Sequence, residues 1–123
     1  MKPEQKPFFS RTFRSFGFAF KGIAFFLKSP SNAWIHLAAA FLVCAAGFYV
    51  HISKGEWMAV IFAIAFVFVT EMVNTAIEKL TDLVSPDYNE LAGKVKDIAA
   101  GAVLLASIAA VVIACMVFVP YAL

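Results

Sequence analysis

Three long apolar stretches divide this chain, and they cover roughly residues 33–52, 57–83 and 98–119. The first is interrupted near its start by His36, and the third carries no charged residue from Ile98 to Val119. About 20 apolar residues in a helix cross a hydrocarbon core of about 30 Å. The pattern therefore predicts three transmembrane helices.

In residues 9–28, which precede these stretches, apolar and polar side chains alternate with the period of an α-helix. One side of such a helix is apolar and groups Phe9, Phe13, Phe16, Phe20, Ile23 and Leu27. Another side is polar and basic, with Ser10, Arg11, Arg14, Lys21 and Lys28. The pattern predicts an amphipathic surface helix in the inner membrane interface, which Ser29 and Pro30 end.

The composition agrees with a membrane protein. Of the 123 residues, 63% are hydrophobic and the mean hydropathy is +0.86, so a soluble domain would lack the polar residues that cover its surface. A chain this short needs all its apolar stretches for one bundle. We therefore expect residues 1–123 to form one all-α integral membrane domain.

Basic residues indicate the orientation of the chain. Six precede the first span: Lys2, Lys6, Arg11, Arg14, Lys21 and Lys28. Three more flank the connection between the second and third spans: Lys79, Lys94 and Lys96. The positive-inside rule then predicts a cytosolic N-terminus, a cytosolic 83–97 loop and an external C-terminus. The net charge of +2 is too small and too localised to indicate nucleic-acid binding.

The second stretch ends in a row of polar side chains. At about 100° per residue, Glu71, Asn74, Glu78 and Asp82 fall within about 80° of one another. We call these four residues the acidic stripe. Glu71 lies roughly 20 Å below Trp57, at a depth where an ionisable group usually serves function. The alternative is a carboxylate that pairs for helix assembly.

Other polar residues near the inner interface extend the candidate site, namely Asp87, Asn89, Lys96, Asp97 and Arg11. Carboxylates beside one or two cations suit a hydrated Mg²⁺ that carries nucleotide phosphates. Phosphoryl transfer also needs a group that accepts the proton of the nucleophile. Glu71 is the candidate general base, for a hydroxyl at headgroup depth. Glycine-rich phosphate loops are absent, so residues alone predict only a membrane protein with a cytosol-facing acidic site.

The segment Glu71-x-x-Asn74-Thr75-Ala76-Ile77-Glu78-x-x-x-Asp82 resembles the signature of the small prokaryotic diacylglycerol kinase family, which includes undecaprenol kinases. Similar positions also extend the likeness over nearly the whole chain: Arg11, Lys21-Gly22, Asn32-x-x-Ile35-His36 and Lys96-Asp97.

This resemblance implies a homotrimer in the bacterial plasma (inner) membrane, with active sites shared between subunits. It implies transfer of the γ-phosphate of ATP to a lipid hydroxyl with Mg²⁺. The implied catalytic residues are Glu71 as general base and Asn74 as an orienting group, with Glu78 as the Mg²⁺ ligand. The implied nucleotide contacts are Arg11, Phe18, Glu78, Asp87, Tyr88, Asn89, Lys96 and Asp97. The implied lipid-substrate contacts are Arg14, Glu71 and Ala100.

Three departures from the family pattern bear on activity. Pro30 stands where the family usually has a second metal-binding glutamate. Phe18 stands where an aromatic residue with a hydroxyl is common. Positions 98–100 read Ile-Ala-Ala, where a small polar residue often follows the Lys-Asp pair.

The role of His36 has two interpretations. The undecaprenol branch tends to have histidine there and the diacylglycerol branch an acidic residue, which indicates a specificity role. Alternatively, it is an interfacial histidine that water or a backbone carbonyl satisfies.

Four functions stay open at this point. The first is a diacylglycerol kinase, and the second, nearly balanced with it, is an undecaprenol kinase. The third is a catalytically impaired member that binds nucleotide or lipid, which Pro30 motivates. The fourth is a small ion-coupled transporter that uses Glu71 in the membrane.

Overall fold

The computed structural model describes residues 3–4 and 7–123, over which the chain is helical and contains no strand. Its four helices are α1 (Phe8–Lys28), α2 (Ala33–Val50), α3 (Lys54–Val84) and α4 (Glu90–Ala122). Lys2 and Lys6, which contribute to the predicted orientation, lie outside the described residues.

Helices α2, α3 and α4 are each long and apolar enough to cross a membrane. This confirms the all-helical class, and each predicted span coincides with one helix that is able to cross a membrane. Most of their large apolar side chains stay exposed on the single chain, including Phe41, Phe62 and Leu105. Such surfaces suit lipid or other protein, whereas water would not stabilise them.

Local capping sets where α2 ends and α3 begins. His51 has a left-handed backbone with φ 56°, which stops α2 at Val50, two residues before the predicted end. Ser53 then caps α3 with a capping box, and the helix begins at Lys54, three residues before the predicted 57. The Ser53 hydroxyl accepts a hydrogen bond from the Glu56 N–H at 3.2 Å, and the Glu56 carboxylate accepts one from the Ser53 N–H at 2.8 Å.

Helix α4 begins at Glu90, eight residues before the predicted 98, so the expected 83–97 loop is wrong beyond residue 89. The cause is a second helix cap. The Asn89 Oδ1 atom accepts a hydrogen bond from the Ala92 N–H at 3.0 Å, and Glu90 puts a negative charge in the first helical turn. Lys96 and Asp97 therefore sit on rigid helix rather than at a loop edge.

The helices α2–α4 pack closely at the end of the bundle where α2 meets α3. Ile52, Val60 and Val117 form its buried centre. Beside them, a Cβ at Gly47 would lie 2.9 Å from the Trp57 ring, so this approach requires glycine. The Tyr121 hydroxyl donates a hydrogen bond to Glu56 across the same end, at 2.6 Å.

The chain divides after Pro30 into two compact units, and α1 belongs to the first unit. The helix begins one residue before the predicted 9 and ends at 28 as predicted. Within it, the Lys21 ammonium lies 5.8 Å from the centre of the Phe18 ring, a distance that suits a cation–π contact. Its role as an amphipathic surface helix stays a prediction, as does the homotrimer.

Candidate functional site

Glu71 is the buried centre of the candidate site. It lies in the middle of α3 with 3% of its surface exposed, and it is the only buried charged residue between residues 7 and 123. Thr75, one turn further along α3, is the other buried polar residue of that range. An ionised carboxylate is costly to bury unless a partner compensates it. The partner of Glu71 therefore decides what the group can do.

That partner is His36, in the first turn of α2. Its Nε2 atom lies 2.9 Å from the Glu71 Oε1 atom, which joins two helices across the bundle. Phe68, one turn before Glu71, packs edge-on against the imidazole at 6.4 Å between ring centres. The partner of Nε2 is therefore a carboxylate, rather than the water or backbone carbonyl that the sequence suggested as one alternative.

Sequence reasoning flagged His36 and Glu71 separately and missed their contact. Helical periodicity relates residues on one helix, but it carries no information about the rotation of α2 against α3. The available signal was that His36 is the polar residue near the start of an otherwise apolar span.

Asn74 and Glu78 form the next part of the acidic stripe. The Asn74 Nδ2 atom donates a hydrogen bond to Glu78 Oε1 at 3.1 Å, one helical turn apart as the spacing predicted. The Asn74 Oδ1 atom is buried and has no partner in the part of the chain that the structure describes. Flipping the amide would bring two acceptor oxygens together, so this orientation is the favourable one. The orphaned oxygen calls for a donor or a cation from outside the chain.

Asp82, at the end of the stripe, pairs with Lys96. The Lys96 ammonium donates to Asp82 Oδ1, which ties the last turns of α3 to the second turn of α4. Their side chains are 62% and 40% exposed, so the pair is open to solvent or ligand. The structure thus gives Lys96 a carboxylate partner where the sequence predicts phosphate.

The other predicted site residues lie on the connection, on α4 or on α1. Asp87, Tyr88 and Asn89 form the exposed connection between α3 and α4, and the Asn89 oxygen is engaged in the helix cap. Asp97 and Ala100 are exposed on α4, and Arg11, Arg14 and Phe18 are exposed on α1. Their predicted contacts with nucleotide or lipid stay predictions.

An apolar cavity of about 260 Å³ lies between α2, α3 and α4, and His36 lines it. Small side chains leave the space, among them Ala40 on α2, Ala63 on α3 and Ala110 on α4. The bonded His36–Glu71 pair thus adjoins an apolar space.

The described residues contain no group of three or more His, Cys, Asp or Glu side chains that could hold a metal ion. Mg²⁺ does not need one, because it keeps several waters and takes one or two carboxylates together with substrate phosphates. Glu78 and the orphaned Asn74 oxygen are hard oxygen donors within one turn of each other. These oxygen atoms therefore fit an Mg²⁺ ion that enters the site bound to a nucleotide.

Known proteins resemble this chain over most of its length. The family model described as prokaryotic diacylglycerol kinase matches residues 17–118. The chain belongs to this family. It is therefore a lipid kinase, and the transporter considered from the sequence is set aside.

Individual family members differ in the substrate that their names record. The undecaprenol kinase of Bacillus subtilis (strain 168) is 38% identical over 111 residues, which cover 90% of each chain. The diacylglycerol kinase of Synechocystis sp. is 36% identical and matches 86% of this chain and 61% of its own. The diacylglycerol kinase of Escherichia coli (strain K12) is 29% identical and matches 88% of each chain. These matches settle the family. The names of the relatives divide between two acceptor lipids, undecaprenol and diacylglycerol.

Proposed function

We propose that this lipid kinase transfers the γ-phosphate of ATP to the hydroxyl of undecaprenol at the cytosolic membrane interface. The observation that carries the proposal is the buried, histidine-bound carboxylate of Glu71 inside an apolar helix, one turn before the orphaned Asn74 oxygen. A base at that depth meets a hydroxyl of a membrane lipid rather than a soluble alcohol.

The choice of undecaprenol rests on the comparison with relatives. The undecaprenol kinase of Bacillus subtilis matches nine-tenths of each chain at 38% identity. Diacylglycerol is the second candidate, because relatives at 36% and 29% identity are named diacylglycerol kinases. The sequence analysis put diacylglycerol first, by a narrow margin.

In the proposed reaction, Glu71 takes the proton of the lipid hydroxyl as that oxygen bonds to the γ-phosphorus. The bond from the γ-phosphorus to the bridging oxygen breaks, and ADP leaves. Asn74 orients the reacting groups through its free amide oxygen. The Lys96 ammonium leaves Asp82 and binds a nucleotide phosphate instead. The solvent-exposed position of the pair permits this change of partner.

Glu78 would hold Mg²⁺ together with the nucleotide. The ion would neutralise charge on the phosphates. Pro30 supplies no carboxylate at the position where the family usually has a second one, so the metal would rely on Glu78, water and phosphate oxygens.

We further propose a homotrimer with shared active sites, a cytosolic N-terminus and residence in the bacterial inner membrane. Exposed apolar surface on α2–α4 supports assembly, and the distribution of basic residues supports the orientation. Arg11, Arg14 and Phe18 of α1 would then contact nucleotide and lipid, with Asp87, Tyr88, Asn89, Asp97 and Ala100 completing these contacts.

The test is transfer of labelled phosphate from ATP by purified protein in mixed micelles. Undecaprenol and diacylglycerol are offered separately, each with and without Mg²⁺. We expect a labelled lipid that needs Mg²⁺ and forms faster with undecaprenol. Faster labelling of diacylglycerol would reverse the substrate order. Absence of product with either lipid, from folded protein, would instead mean that the chain binds without turnover and that Pro30 marks a lost metal site.

A further inference from the structure

We propose that His36 is a positioning residue that holds the Glu71 carboxylate in one orientation and leaves one of its oxygens free for the lipid hydroxyl. The inference rests on the proposed role of Glu71 as general base. It assigns His36 to the chemical step, in place of a role in choosing the lipid.

The argument begins with the hydrogen-bonding capacity of the two groups. A base must start ionised, and an ionised carboxylate has only acceptors. The 2.9 Å contact between His36 Nε2 and Glu71 Oε1 therefore requires a hydrogen on Nε2, so the imidazole donates. A neutral ring satisfies this requirement, and no charge on His36 is needed.

The next step concerns the two carboxylate oxygens. Because Oε1 accepts from His36, the lone pairs of Oε2 remain for the proton of the substrate. When that proton arrives, Oε2 becomes the hydroxyl of a carboxylic acid, and the His36 bond to Oε1 need not break. The bond thus fixes the direction of the base before and after proton transfer, which is how a second residue preserves reactive geometry.

The surroundings of His36 keep the ring in place. Its backbone N–H is bonded to the Asn32 carbonyl at 3.1 Å, within the first turn of α2. Phe68 packs edge-on against the imidazole, and 21% of the side chain is exposed. The backbone of His36 is thus held by α2, and its ring is held by Phe68 and Glu71 of α3.

A matched pair of substitutions tests the hydrogen bond itself. His36→Gln puts an amide nitrogen at about the reach of Nε2, while His36→Asn has the same amide on a shorter side chain. We expect His36→Gln to keep most of the turnover. We expect His36→Asn and His36→Leu to lower kcat about 10- to 100-fold, with the KM for ATP within about threefold of wild type.

Comparing the two acceptor lipids distinguishes a positioning role of His36 from a role in lipid specificity. If His36 acts on the base, the loss in kcat is the same for undecaprenol and diacylglycerol. A change in the ratio of the two activities would show that His36 selects the lipid and would overturn the proposal. Turnover of His36→Asn and His36→Leu at the wild-type level would overturn it equally.

Two controls complete the design. His51→Asn removes the other histidine, at the opposite end of α2, where the left-handed backbone tolerates asparagine; it should keep full activity. Glu71→Gln isolates the proposed function: if that variant retains turnover, the role of Glu71 fails and the proposal on His36 falls with it. If Glu71→Gln is inactive while His36→Asn is fully active, only the positioning role fails.

Discussion

Replacing Lys96 distinguishes two roles of its side chain, a structural ion pair and a phosphate contact. The two interactions differ in free energy, so the size of the effect tells them apart. In the structure, Lys96 donates to Asp82, with side chains 40% and 62% exposed. Exposed pairs of this kind stabilise a protein by about 0.2–1 kcal/mol, because solvent screens them. Loss of a hydrogen bond to a charged phosphate costs about 1.5–3 kcal/mol, which corresponds to about 10- to 150-fold in affinity.

The variant Lys96→Met should therefore raise the KM for ATP about 10- to 150-fold and lower the free energy of unfolding by less than about 1 kcal/mol. Asp82→Asn releases Lys96, so its KM for ATP should stay the same or fall. The assay is steady-state phosphate transfer at varied ATP, with denaturation in the same detergent.

A neighbouring lysine provides the control. Lys94 lies one turn after Glu90 and pairs with it at 3.5 Å, with side chains 67% and 79% exposed. Lys94→Met removes the same charge from the same helix and should leave the KM for ATP unchanged. The reasoning is refuted if Lys96→Met keeps the wild-type KM, or if Lys94→Met raises KM equally. In the second case, net charge near the site would be the cause rather than one contact.

Further predictions concern the metal, the packing and the orientation. Glu78→Gln should raise the Mg²⁺ concentration for half-maximal activity and leave the fold unchanged, and an unaltered Mg²⁺ requirement would contradict its role as ligand. Gly47→Ala should lower the free energy of unfolding by up to about 2 kcal/mol, because overpacking costs about 1–3 kcal/mol and alanine returns about 1 kcal/mol in a helix. In a Trp57→Leu background Gly47→Ala should cost less free energy than in the wild type, and an equal cost in both backgrounds would refute the clash with the Trp57 ring. Tyr88→Cys, in a background without the two native cysteines, should react with an impermeant thiol reagent only from the cytosolic side of membrane vesicles.

The sequence predicted the helices well because each span contains a long apolar run. Its errors lie at the helix ends, where single side chains decide. Asn89 and Ser53 extend α4 and α3 by capping hydrogen bonds, whereas His51 ends α2 through its left-handed backbone. Apolar periodicity alone does not detect polar helical turns such as residues 90–97.

The candidate site divides in the same way. The Asn74–Glu78 contact follows from helical spacing, and the structure contains it. The His36–Glu71 contact spans 35 residues and the Lys96–Asp82 contact 14, so both depend on how helices rotate against each other. No pattern along a single helix contains that rotation. The roles in nucleotide and lipid binding come from family resemblance and stay predictions.

The most direct test of the account compares wild-type protein with Glu71→Gln in a single turnover. Both proteins are loaded with labelled ATP and Mg²⁺ and mixed with undecaprenol in micelles, and ATP affinity is measured separately. We predict that Glu71→Gln binds ATP with nearly wild-type affinity and transfers no measurable phosphate, since the amide cannot accept the hydroxyl proton. Transfer by Glu71→Gln at a rate close to wild type would contradict the assignment of Glu71 as the base and, with it, the proposed mechanism.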